Sequence, residues 1–145
     1  MIISIGSDHR GYLLKEELIQ FLTSSNNKVI DFGTNSTESV DYPDFARKVG
    51  LSIANGESDY GVAICGSGIG VSIAANKVKG IRAVNATNKD IAEMSRKHNN
   101  ANVICFGADF INADTAKKYL NIFLNTEFEG GERHNRRINK INEIN

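Results

Sequence analysis

The chain has 145 residues, 41% of them hydrophobic and 23% charged, ordinary values for a soluble protein with one sizeable core. Its 17 basic residues balance 17 acidic ones, which argues against a nucleic-acid or membrane surface as the main partner. Two cysteines inside apolar runs form no disulfide framework. No signal peptide or stretch of about 20 apolar residues is visible, so a cytoplasmic location is the default expectation.

Ile2 to Gly6 reads as a strand, followed by Ser7-Asp8-His9-Arg10-Gly11. The spacing of Leu14, Leu18, Phe21 and Leu22 predicts a helix over 12–24. Lys28 to Phe32 is a second strand, closed by Gly33, and 34–41 is a polar loop. Asp41-Tyr42-Pro43 opens a second helix, with the only proline near its first position and Gly56 as its stop. Tyr60 to Ile64 is a buried parallel strand ending at Cys65, and a helix over 71–77 follows. Ile81 to Val84, a helix over 88–97, Asn102 to Phe106 and a helix over 112–124 continue the alternation. After Glu129-Gly130-Gly131, a last helix runs from Glu132 towards Ile144. Strands alternating with helices predict an α/β fold, a parallel sheet with helices on both faces, over a single domain, 1–145.

The stretch Tyr60–Lys77 organises the rest. A strand ends in a thiol, three glycines follow at alternate positions (Gly66, Gly68, Gly70), and then a helix begins. Ligands of open α/β sheets bind at such carboxyl ends. Glycines let backbone N–H groups approach a ligand, and a helix N-terminus favours negative charge, both on a ligand and on a thiolate at Cys65. A buried strand-end cysteine beside a tight turn is the plainer reading of Cys65 alone. Asp8 and His9 follow the first strand and Ser67 follows the third, so all lie on one sheet edge with Cys65. Taken singly, Asp8 and Ser67 could be helix caps and His9 a loop residue. His98 and Asn99 end the fourth helix, where a cation and a C-cap are equally at home. Cys105, inside the last strand, reads as core. Arg133 and Arg137, four apart, share a helical face and could clamp a phosphate, or could simply be solvated.

Taken together, SDHRG at 7–11, DYPD at 41–44, CGSGIGVSIAANK at 65–77, GIRA at 80–83, SRKHNNANV at 95–103 and EGGERHNRR at 129–137 resemble the type B ribose-5-phosphate isomerases, a family that includes allose- and galactose-phosphate isomerases. The resemblance spans essentially the whole chain. It implies a three-layer α/β/α sandwich, Rossmann-like, with a five-stranded parallel sheet and an extra C-terminal helix. It also implies a homodimer, possibly a tetramer, with sites shared across the interface, no metal and no organic cofactor.

By the same resemblance, the reaction is aldose–ketose isomerisation through an enediolate, in the non-oxidative pentose phosphate pathway for the ribose members. Cys65 matches the base that moves a proton between C1 and C2, His98 the residue that opens the sugar ring, and Asp8 a ligand of sugar hydroxyls. The backbone of Gly66, Ser67, Gly68, Ile69 and Gly70, with the Ser67 hydroxyl, matches the anion hole. Tyr42 and Asn99 line the pocket, and His9, Arg133 and Arg137 match the phosphate binders. There are departures. Some relatives use a Glu base six residues beyond the cysteine, where this chain has Val71 and Ser72. Asp109 stands where relatives often carry a phosphate-binding Arg, so Arg10, Arg136 or another cation takes over, or phosphate affinity is lower.

Other α/β classes fit poorly. A receiver domain wants Asp at position 65, a cysteine phosphatase wants Arg at 71, and the Gly-Lys-Ser/Thr of a Walker loop is absent. A six-carbon sugar phosphate as substrate, or a silent sugar-phosphate-binding module, remain the alternatives.

Overall fold

In a computed structural model describing residues 1–144, the elements are β1 (Ile2–Ser7), α1 (Tyr12–Ser24), β2 (Lys28–Asp31), α2 (Tyr42–Ala54), β3 (Tyr60–Cys65), α3 (Ile69–Asn76), β4 (Ala83–Asn85), α4 (Lys89–Asn99), β5 (Val103–Gly107), α5 (Ala113–Asn125) and α6 (Glu132–Asn142). The strands form one parallel sheet in the order β2-β1-β3-β5-β4. β3 lies at its centre, so both of its faces are covered and its sequence is apolar without a break.

Strand alternation divides the core into two layers of different character. Val62, Ile64, Ile104 and Phe106 face α1, α4 and α5, where Leu18, Leu22, Leu120 and Phe123 complete a bulky layer. Ala63, Cys65, Val103 and Cys105 face α2 and α3, against Ala46, Val49, Val71 and Ala75. Small residues on this second face let its helices approach closely. A Cβ on Gly61 would lie 2.5 Å from Val49 Cγ1. The thiol of Cys65 therefore ends in the thin layer, directly beneath the start of α3.

Two buried cations fix helix ends. Lys15, fully buried, donates to Asp31 Oδ2 at 2.9 Å and Glu16 Oε1 at 2.8 Å, tying α1 to β2. Arg96 donates to Ala101 O at 2.6 Å, Asn100 Oδ1 at 2.8 Å and the Tyr60 hydroxyl at 3.0 Å. Its guanidinium also lies 4.9 Å over the Tyr60 ring. This network anchors the end of α4 that carries His98.

Some boundaries differ from the sequence expectation. β4 starts at Ala83 rather than Ile81, because side chains take over its first backbone bonds: Asn102 Oδ1 accepts from Arg82 N and Asn76 Oδ1 from Ala83 N, both at 2.8 Å. α3 starts two residues early, at Ile69, since Gly68 itself forms the turn. α6 stops at Asn142, and of the stripe Ile138, Ile141 and Ile144 only Ile138 is buried.

Candidate active site

The glycine turn after β3 is built as its sequence demands. Gly68 adopts φ +77°, a left-handed conformation that opens to glycine without strain, and it directs its N–H onto Cys65 Sγ at 3.2 Å. Cys65 is 4% exposed. Ser67 Oγ accepts from Ile69 N at 3.2 Å, so it caps the first turn of α3 while staying half-buried at the sheet edge. The turn is stitched to the loop after β5: Cys65 O accepts from Ala108 N at 2.8 Å, and Gly66 O from Asp109 N at 3.0 Å. A thiol, the Gly68 N–H that meets it and a helix N-terminus thus lie together, an arrangement that stabilises negative charge.

Asp8 and His9 join that point from β1. Asp8 is buried, and its Oδ1 accepts from Arg10 N at 3.0 Å and Gly11 N at 3.1 Å. Asp8 is therefore not the cap of α1, whose N-cap is Gly11; its bonds close the turn ahead of the helix and fix the carboxylate, while Oδ2 makes no hydrogen bond among the described residues. His9 Nδ1 accepts from Val40 N at 3.2 Å, which leaves the ring proton on Nε2. Tyr42, at the start of α2, lies over Gly70, where a Cβ would come within 2.5 Å of the phenol ring.

The remaining predicted residues lie elsewhere. α4 leaves the carboxyl edge after β4 and returns the chain to the amino edge, where β5 begins. His98 and Asn99, its last two residues, are therefore at the amino edge. Asn99 O accepts from Arg82 Nε at 3.0 Å, and Lys97 O from Glu129 N at 3.2 Å. α6 packs beside α4 and brings Arg133 and Arg137, both exposed, to this region. The six residues of β3 separate the two edges by roughly 20 Å. One chain thus carries two groups: Cys65, Ser67, Asp8, His9 and Tyr42 at the carboxyl edge, and His98, Asn99, Arg133 and Arg137 at the amino edge.

The two thiols are not equivalent. Burial, with Cys65 close by, pushes the Cys105 thiol far up, so it stays protonated at any working pH. Cys65 is the thiol that reaches the turn.

Several neighbours of these groups were not singled out in the sequence. His134 stacks on His98 with ring centroids 4.8 Å apart and planes within 9°. Asn85, at the end of β4, donates to Ser67 O at 3.3 Å. His134 lies within the EGGERHNRR stretch and Asn85 in no motif, and only the fold brings each to its partner. Arg10 pairs with Asp109 across Gly66. A cavity of about 400 Å³ opens beside Ser67 and Ile69, lined further by Asn85, Thr87, Phe110 and Tyr119. Neither Cys65 nor Asp8 lines it.

A model of the ribose/galactose isomerase family matches residues 3–141. The chain is 44% identical over 142 residues to ribose-5-phosphate isomerase B of Escherichia coli K12, covering 98% of this chain and 95% of that protein. A solved structure of Clostridium thermocellum ribose-5-phosphate isomerase B superposes with a TM-score of 0.97 at 52% identity, covering 99% of this chain and 97% of the other. A ribose 5-phosphate isomerase from Thermotoga maritima gives 0.96 at 47% identity, covering 99% and 98%. A match of this extent, on a fold with the same doubly covered parallel sheet, leaves one conclusion: the chain belongs to the ribose/galactose isomerase family.

Proposed function

We propose that the chain interconverts ribose 5-phosphate and ribulose 5-phosphate as a homodimer, each active site joining the carboxyl edge of one subunit to the amino edge of the other. The observation that carries this reading is the separation described above. The residues that this chemistry needs are all present, yet one sheet holds them on opposite edges. A two-fold pairing brings the edges together twice and makes two composite sites.

The family resemblance supports the roles of the individual residues. His98 of the partner subunit opens the furanose ring, and Asn99 of the partner subunit lines the pocket with Tyr42. Asp8, its Oδ1 held by two N–H groups, accepts a sugar hydroxyl at Oδ2. The Cys65 thiolate takes the proton from C2, and the electron pair moves onto the carbonyl oxygen at C1. The enediolate charge falls among the N–H groups of Gly66–Gly70 and the Ser67 hydroxyl, at the N-terminus of α3, where negative charge is favoured. The Cys65 thiol then returns its proton to C1 as a proton passes from the oxygen on C2 to that on C1. Arg133 and Arg137 of the partner subunit, with Nε2–H of His9, hold the phosphate. No net oxidant is needed, since one carbon is reduced as its neighbour is oxidised. We place this activity in the cytoplasm, in the non-oxidative pentose phosphate pathway.

The test is turnover of ribose, allose and galactose phosphates by the purified protein and by Cys65→Ala. The reading expects ribose 5-phosphate to be the preferred substrate and Cys65→Ala to lose about 10²–10⁴-fold in kcat. Preference for a six-carbon sugar would move the substrate assignment and keep the chemistry. Turnover of none would leave a binding module.

A further inference from the structure

The Arg10 side chain lies across the glycine turn. A Cβ on Gly66 would come within 2.9 Å of Arg10 Nε and equally of Asp109 Oδ2, so the ion pair covers Gly66 directly. Both partners are anchored through their backbones to the active-site turns: Arg10 N donates to Asp8 Oδ1 at 3.0 Å, and Asp109 N to Gly66 O at 3.0 Å. Yet their side chains remain 58% and 42% exposed. A guanidinium has five N–H donors, and a single carboxylate contact leaves most of them unused and facing solvent.

We propose that Arg10, positioned by Asp109, is an anion-binding residue of the carboxyl edge and binds the phosphate of the substrate from the same chain that supplies Cys65. This rests on the isomerase reading for the identity of the ligand. The carboxylate of Asp109 fixes the guanidinium over Gly66 and partly offsets its charge. An incoming phosphate, with about −1.5 to −2 charges, takes the free donors. With His9 one residue away presenting Nε2–H, the same loop offers two donors side by side.

The experiment measures inorganic phosphate binding by calorimetry, and KM and kcat with ribose 5-phosphate, for wild type, Arg10→Ala, Arg10→Lys and the double variant Arg10→Ala/Asp109→Asn. Arg10→Ala should weaken phosphate binding and raise KM by 10-fold or more, with the larger part of the loss in KM. Arg10→Lys should recover part of it. The double variant should bind phosphate more tightly than Arg10→Ala alone, because the single change leaves a bare carboxylate facing the anion. Unchanged phosphate affinity in Arg10→Ala, or no difference between the single and double variants, would overturn the proposal. If the wild type turned over no sugar phosphate, the isomerase reading would fail. The calorimetric comparison would still decide whether Arg10 holds an anion.

Discussion

Gly68 allows a prediction in which stability and chemistry separate. Its φ of +77° costs an alanine about 1–2 kcal/mol, and a Cβ there would sit 2.9 Å from both Gly107 N and Asn85 Cγ. Overpacking of that kind adds about 1–3 kcal/mol. Gly56 is the matched control: φ is +75°, with nothing within 4 Å of its Cβ position. Gly56→Ala should therefore lose only the conformational part, lowering Tm by about 3–6 °C in a chain of this size. Gly68→Ala should lower it by about 6–15 °C on the same scale. Beyond that, it must move the N–H that meets Cys65 Sγ, and loss of one aimed donor should cut kcat by about 10²-fold. Circular dichroism melts and steady-state isomerisation, both well below the lower Tm, give the two readings. A Gly68→Ala protein with near-normal kcat would refute the anion-stabilising role of the turn. An equal kcat loss in Gly56→Ala would show that stability alone explains the effect.

Other expectations follow from particular contacts. Iodoacetamide at pH 8 should modify Cys65 and inactivate the protein, with substrate protecting it, while Cys105, buried and held as a thiol, stays unmodified by mass spectrometry. Cys105→Ala should keep its turnover. Arg137→Ala should raise KM for ribose 5-phosphate by the equivalent of about 2–3 kcal/mol and leave unphosphorylated ribose unaffected. Asp31→Ala leaves the buried Lys15 ammonium with only Glu16 and should cost about 2 kcal/mol in urea unfolding, whereas Lys15→Met should be close to neutral.

Much of this was legible in the sequence, for physical reasons. Unbroken apolar strands such as Tyr60–Cys65 and the alternation with amphipathic helices specify a doubly covered parallel sheet. The carboxyl edge could be read because short loops keep Asp8, His9, Cys65 and Ser67 next to strand ends. The amino-edge group was harder. His98 lies at a helix end, and its stack on His134 joins residues 36 positions apart through the packing of α6 on α4. The insertion of β5 between β3 and β4 has no local signal, so the bond from Asn85 to Ser67 could not be anticipated. Asp109 was visible as a charge of the wrong sign, and the structure gives it a partner in Arg10 that sequence distance conceals.

The composite site can be tested by complementation between two inactive variants, Cys65→Ala and His98→Asn, unfolded together and refolded. Random pairing makes about half of the dimers mixed, and in each mixed dimer one site carries both lesions while the other carries none. The account predicts that about a quarter of wild-type turnover returns, and that brief mixing of the folded variants restores little. Full refolding of both chains as dimers with no regained turnover would place His98 outside the site formed around Cys65 of the other subunit and would contradict the account.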